Sequence, residues 1–321
     1  MTPTQSLAEP GAQGSSAAVF GARSTAAEVV AGLDLKGKTV LLTGSNSGLG
    51  LETLRALIGR GAHVIALART QDKASASLIE ASGGSRPATL VGTALACELA
   101  EPAAVRTCVA AVRALGRPID ALIANAGIMA LPRPEQRYGL ELQFLTNHVG
   151  HFMLVTGLLD QLADDGRVVM VSSRAHHGAP RGGIAFDDLS GARHYRPWVA
   201  YGQSKLANLL FARELAQRLA QSARPRRSAH ALHPGVIRTN LVRHLNPLLR
   251  GVLALAAPLV LKSAAQGAAT QCYVAVHPAL AGLNGRYFAD CREALPSPYG
   301  RDDALARRLW EVTEALVACL A

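Results

Sequence analysis

No two of the five cysteines, Cys97, Cys108, Cys272, Cys291 and Cys319, form a C-x-x-C pair, and their number is odd. That argues against a disulfide framework or a thiolate zinc site and leaves buried free thiols in a reducing cytoplasm as the expectation. Aromatic residues make up only 4%, and no basic run is interleaved with them. The net charge of +10 comes from scattered arginines, the densest group being Arg224, Arg226 and Arg227 in a loop after a helix. Such scatter does not build a nucleic-acid surface. No apolar run reaches the ~18 residues of a spanning helix; "GVLALAAPLVL" (251–261) is too short and holds a proline. The N-terminus lacks a basic segment followed by an apolar one, so no signal peptide is expected. Charged residues are 17% and hydrophobic ones 49%, which excludes a mainly disordered chain. Lysine is also scarce, five among 33 basic residues, within an arginine- and alanine-rich composition typical of a GC-rich bacterial genome.

The 321 residues suit one large α/β domain. Residues 1–24 are rich in Gly, Ala, Ser and Pro without a period and read as a flexible tail, leaving 25–321 as the domain. "STAAEVVAGL" (24–33) reads as a short helix capped by Ser24. From residue 38, short apolar runs alternate with amphipathic stretches. Strands are expected at 39–44, 63–69, 89–95, 119–127, 166–173, within 227–235 and at 284–288. Helices are expected at 48–61, 71–82, 101–115, 140–162, 198–221, 264–276 and 301–320. This alternation predicts a doubly wound parallel sheet, the Rossmann architecture, in a single domain.

"TGSNSGLG" (43–50) lies between the first strand and the first long helix. Gly44 permits a tight turn, Gly48 a close backbone approach to a phosphate, and Gly50 close helix–strand packing. Gly44, Ser45, Asn46, Ser47, Gly48, Leu49 and Gly50 are therefore the expected phosphate-facing turn. Its G-x-x-x-G-x-G spacing differs from the commoner G-x-G-x-x-G. The second strand ends in Arg69 with no acid beside it. A guanidinium suits a ribose 2′-phosphate where an acid would suit a 2′-hydroxyl, so NADP(H) is favoured over NAD(H).

With "NAG" (125–127), "VSS" (171–173), "YGQSK" (201–205) and "HPG" (233–235) following in that order, the sequence resembles the short-chain dehydrogenase/reductase family over residues 35–290. The stretches "VSSRAHHGA", "YGQSKLANLLFARELA" and "HPGVIRT" look most like the branch of retinol dehydrogenases, WW-domain oxidoreductases and protochlorophyllide reductases. The 28-residue gap from Ser173 to Tyr201 is longer than in the simplest members, as it is in that branch. On a helix, Tyr201 and Lys205 share a face, and a neighbouring ammonium favours the phenolate over a phenol of pKa ~10. The resemblance implies that Tyr201 exchanges a proton with the substrate oxygen. Lys205 would hold the nicotinamide ribose, Ser173 orient the substrate and Asn147 support a water beside the lysine. It further implies that Asn125, Ala126 and Gly127 lie near the cofactor, Glu98 and Leu99 near the adenine, and Pro234, Gly235, Val236 and Thr239 over the nicotinamide.

The apolar segment at about 240–262 is expected to be a substrate lid over a greasy pocket, ahead of a subunit interface or a peripheral membrane contact. The adjacent His176 and His177 lack acidic or cysteine partners at ligand spacing, so no metal is expected. The expected activity is NADP(H)-preferring hydride transfer on an apolar or bulky alcohol or carbonyl, in a cytoplasmic monomer or homo-oligomer. One rival is a non-catalytic NADP(H)-binding sensor or scaffold. Another, light-driven tetrapyrrole reduction, expects an active-site cysteine, and none follows "NAGIM" (125–129).

Overall fold

The computed structural model describes residues 20–84, 92–237 and 261–320. Seven strands form its parallel sheet: β1 (Thr39–Thr43), β2 (His63–Ala68), β3 (Gly92–Ala96), β4 (Ile119–Ala124), β7 (Leu162–Val171), β8 (Ser228–His233) and β9 (Tyr287–Ala289). A short antiparallel edge, β10 (Arg292–Glu293), pairs with β9. The spatial order is β3-β2-β1-β4-β7-β8-β9-β10. All five residues of β1 and all six of β8 are buried, as expected of strands covered on both faces.

One face carries α2 (Gly48–Gly59), α3 (Gln71–Ala81) and α7 (Ala264–Val276), through a core including Leu54, Leu57, Leu78 and Val274. The other carries α4 (Pro102–Ala114), a helix α5 over 142–156, α6 (Pro197–Ala220) and α8 (Asp303–Cys319). There Val105, Phe152, Phe211 and Trp310 meet the sheet. The chain winds outward from β1 to β3, returns to β4 and winds the opposite way. The crevice this leaves at the carboxyl ends of β1 and β4 is where such sheets bind ligands.

Several expectations on local structure change. The helix expected at 140–162 is shorter. Leu140–Glu141 (β6) pairs with Gln136–Arg137 (β5), the helix ends at Thr156 before Gly157, and β7 begins at Leu162. Inside α5, Leu145–Val149 forms a π-helical turn. The first helix, α1 (Ala26–Val29), is capped by Thr25 in a capping box with Glu28, not by Ser24. The 1–24 tail is docked at its end: Phe20 packs edge-on against Tyr273 and His277, and Gln266 Nε2 donates to the Arg23 carbonyl at 3.2 Å. Four cysteines are buried free thiols, but Cys319 is exposed on the last turn of α8. Residues 1–19, 89–91 of the expected third strand, Thr239 and 240–260 of the expected lid lie outside the described residues.

Candidate active site

The glycine turn joins β1 to α2 under a steric constraint that its sequence explains. A Cβ on Gly50 would lie 1.9 Å from the Gly44 carbonyl oxygen, so only glycine lets α2 start this close to β1. Gly44 (φ 66°) and Gly48 (φ 53°) occupy the left-handed region, and a Cβ on Gly48 would face open space. Ser47, the N-cap of α2, makes no side-chain cap hydrogen bond, and Asn46 and Ser47 are exposed. The turn thus offers uncapped helix N–H groups and room beside them, a cradle that fits a pyrophosphate. Ser45 departs from the expectation. Its N–H donates to Leu67 O and its hydroxyl is held by Leu67 O and Ser77, so it braces the turn from inside and has nothing left for a ligand.

Across the crevice, Asn125 Nδ2 donates to Thr43 O at 2.8 Å and Gly44 O at 3.3 Å. The Asn125 and Ala126 N–H groups both donate to Thr43 Oγ1 at 2.9 Å. These bonds hold the ends of β1 and β4 together. Arg69, at the end of β2, is exposed and has no ion-pair partner among the described residues. Glu98 is half-buried and accepts from the Ala100 N–H at 3.2 Å. The Leu99 side chain is turned into the core, and its carbonyl oxygen would lie 2.2 Å from a Cβ on Gly150. Leu99 therefore packs the floor rather than presenting its side chain to an adenine.

Ser173, Tyr201, Lys205 and Asn147 come together at the ends of β7 and β4. Ser172 points inward, donating to the Lys205 carbonyl at 2.7 Å, which leaves Ser173 facing the crevice. The Ser173 hydroxyl accepts from the Ala175 N–H at 3.2 Å and lies near enough to Tyr201 to favour its phenolate. Lys205 Nζ lies 5.8 Å from the Tyr201 ring centroid and donates to Val171 O at 2.9 Å. An ammonium has three N–H donors, so this contact leaves two for a ligand. A Cβ on Gly127 would lie 3.3 Å from Lys205 Nζ and 3.0 Å from Asn147 Oδ1, so this glycine makes the room they share. Asn147 is fully buried: its Oδ1 accepts from the Ile128 N–H, and its Nδ2 donates to Ile128 O and Ser204 Oγ. It sits in the π-helical turn, a distortion frequent at functional sites.

Electrostatics correct one expectation. Burial pushes the Tyr201 phenol above its ordinary value, opposed by the nearby Ser173 hydroxyl. The lysine does not reverse this because burial also acts on it, drawing Lys205 down to about 8. The resting pair is a neutral phenol beside a lysine charged at neutral pH.

Three residues that brace the site had no decisive signal in the sequence. His176, in the turn after Ser173, is fully buried. Its Nδ1–H donates to the Ser173 carbonyl at 2.6 Å, and its Nε2 accepts from the Ser297 N–H at 3.0 Å. It ties the catalytic loop to the C-terminal segment. His151, also fully buried, lies between Thr43 Oγ1 (2.9 Å) and the Asn147 carbonyl (2.8 Å), bridging the glycine turn to the π-turn. Gly202 lets α6 lie against the Ser173 loop, since a Cβ there would be 2.6 Å from the Ala175 carbonyl oxygen. The spacing of His151, four residues after Asn147, was the one available hint. No cluster of three metal-ligating side chains occurs among the described residues. Pro234 and Gly235 (φ 99°) follow β8, with the Lys262 stem against Gly235 and half-buried Val236 next in line.

A family model for short chain dehydrogenases matches residues 38–187. Short-chain dehydrogenase TIC 32 B, chloroplastic, of Brassica napus is 39% identical over 311 residues, covering 94% of this chain and 95% of the relative. Retinol dehydrogenase 14 of Mus musculus is 38% identical over 299 residues, covering 89% and 87%. The crystal structure of an uncharacterised protein from Mycobacterium Paratuberculosis superposes with a TM-score of 0.71 at 33% identity, covering 92% of this chain and 98% of that one. The parallel sheet, the glycine turn at its switch point and these relatives lead to one conclusion: the chain belongs to the short-chain dehydrogenase family, in its retinol dehydrogenase-like branch, and is an oxidoreductase of CH–OH or C=O groups.

Proposed function

We propose that the protein is an NADP(H)-preferring carbonyl reductase and alcohol dehydrogenase acting on an apolar or bulky substrate. The observation that carries this reading is the gathering of Tyr201 and Lys205 beside Ser173, with Lys205 Nζ 5.8 Å from the Tyr201 ring and bonded to the Val171 carbonyl at the end of the strand that leads to Ser173. The nicotinamide, when bound, supplies or takes up the hydride. Ser173 orients the substrate oxygen, and Tyr201 gives or receives its proton. Lys205 presents its two free N–H donors to the ribose, and Asn147 holds the π-turn beside it. A phenol raised by burial is protonated at neutral pH, which suits donation to a developing alkoxide. Unpaired Arg69 supports the 2′-phosphate preference.

The test is oxidation of NADPH and NADH with a panel of apolar aldehydes and ketones. Tyr201→Phe should lower kcat about 10³-fold, within the range of general acid catalysis. Arg69→Gln should cut the NADPH-over-NADH preference about tenfold, the loss of one charged contact. Equal use of both cofactors by the wild type would sink the Arg69 argument and keep the chemistry. Tight NADPH binding with no turnover across the panel would favour the sensor reading.

A pH profile adds a separate check. Lys205 titrates at about 8, so it is charged below that and neutral above. The reductive kcat/KM should be flat from pH 6 to 7.5 and fall above about pH 8, as the ammonium is lost. A profile that stays flat to pH 9.5 would remove Lys205 from the rate.

A further inference from the structure

Beside the catalytic loop lies a cavity of about 730 Å³, bounded by the residues after Ser173, those after β8, the approach to α7 and the 287–295 segment. Its lining includes Arg174, the residue after Ser173, whose N–H donates to His233 Nδ1 just before Pro234. One wall is apolar, with Val236, Tyr287 and Leu295; Leu295 is 73% exposed, high for a large apolar side chain. The other wall is cationic. Arg23, Arg174 and Lys262 reach it from three distant parts of the chain.

Its one acid, Asp290, is already engaged by Lys262 at 2.5 Å. Arg23 and Arg174 are exposed and have no carboxylate partner among the described residues. Glu293, in the 287–295 segment, is taken by Arg286 at 3.1 Å. Residues 215–289 contain nine basic residues and not a single Asp or Glu. Uncompensated guanidiniums facing an apolar wall are matched by a ligand that is apolar along its length and anionic at its end.

We infer that this cavity receives the acidic terminus of the substrate, whose reacting carbonyl lies at Ser173 and Tyr201. The substrate class is then a long-chain aldehyde or ketone that also carries a carboxylate or a phosphate. The inference rests on the proposed oxidoreductase reading and narrows its apolar substrate to an amphipathic one.

The test does not need turnover. Dodecanoate, dodecyl phosphate and dodecanol are titrated into the full-length protein saturated with NADP⁺. At least one anion should bind about tenfold or more tightly than the alcohol, as one charge-assisted contact allows, and whichever binds tighter identifies the acid. Raising the salt to 1 M should shrink the preference, because the guanidiniums are exposed. Arg174→Gln and Arg23→Gln should each reduce it, and the double variant should bring anion and alcohol within about twofold.

Equal binding of all three probes by the wild type would overturn the inference, as would a preference that survives in the double variant. The bound anion should also compete with an aldehyde substrate. Binding without competition would detach the cavity from the substrate path and refute the substrate assignment. Affinity for vesicles of an anionic lipid, with no preference among the monomeric probes, would assign the cations to a membrane surface instead. Failure of every panel aldehyde to react would count against the oxidoreductase reading, while the binding ratios would still decide this one.

Discussion

Lys205→Met should abolish turnover and, at neutral pH, make the protein more stable. Lys205 is 4% exposed, and burial lowers its ammonium from 10.5 to about 8. A base whose folded pKa is depressed works against folding once the unfolded chain holds the proton more tightly. Between pH 10.5 and 8 the unfolded state gains a proton that the folded state resists; below 8 the penalty is complete. At about 1.4 kcal/mol per pH unit, the charge costs about 3 kcal/mol at pH 7. Methionine keeps the length of the side chain without the charge. It gives up the bond to Val171 O, about 1 kcal/mol, but that carbonyl keeps a second donor in Asn208 Nδ2 at 3.3 Å. The net gain of about 2 kcal/mol should raise the thermal midpoint by a few degrees, while kcat falls about 10³-fold or more. The gain should vanish above pH 10.5, where the wild-type lysine is neutral in both states. A variant that melts below the wild type at pH 7 would show that the ammonium is held favourably, and the reading of a site stabilised at its own expense would fail.

Much of this was legible in the sequence because the informative features are local. Fully buried strands read as apolar runs, and helices show their period. The constraint at Gly50 is a short-range clash between a helix start and the turn before it. The pairing of Tyr201 with Lys205 needs only helix geometry. What could not be read depends on contacts between distant segments or on competition between energies. Nothing in "LTNHVGHF" announces a π-turn, or that Asn147 within it and His151 after it find partners at Ile128, Ser204 and Thr43. The helix expected over 140–162 overruns because the apolar run continues past the end of α5 at Thr156, through a turn at Leu159–Gln161, to the start of β7 at Leu162. Ser45 looked like the rest of its turn, and only the packing of β2 and α3 shows that it faces inward. The direction of the Tyr201 shift required weighing burial against the lysine, a balance that spacing does not contain.

Acid should unfold the protein near pH 5, earlier than carboxylate protonation alone would bring about. His148, His151, His176, His230 and His233 are each at most 7% exposed. Burial draws His148 down to about 3 and the other four to about 4. The hydrogen bonds explain why the charge is resisted. Thr313 donates its own hydroxyl to Leu309 O, so His148 must donate to Thr313 through Nε2, and its buried Nδ1 has no partner among the described residues for a second proton. In His176, His230 and His233 a ring nitrogen accepts a backbone N–H, from Ser297, Arg286 and Arg174 respectively, and a proton there would face another proton.

All five folded values lie below the unfolded 6.5, so their contribution is intact above pH 6.5 and is lost as pH falls toward 4. At pH 5 each histidine has cost the fold about 2 kcal/mol. Together that is on the order of 10 kcal/mol, the whole stability of an ordinary domain. Buried Glu141 acts in the opposite sense, since its raised carboxyl favours the folded state as acid is added, but it is one group against five. Far-ultraviolet circular dichroism and the fluorescence of Trp310, packed between Phe152 and Phe211, should report one steep transition with uptake of about four protons. His148→Phe should make it shallower by about one proton. A wild-type transition centred below pH 4, or one unchanged by His148→Phe, would mean that the histidines are not held neutral by the core, and the coupling of the His176 and His151 braces to the folded site would lose its electrostatic basis.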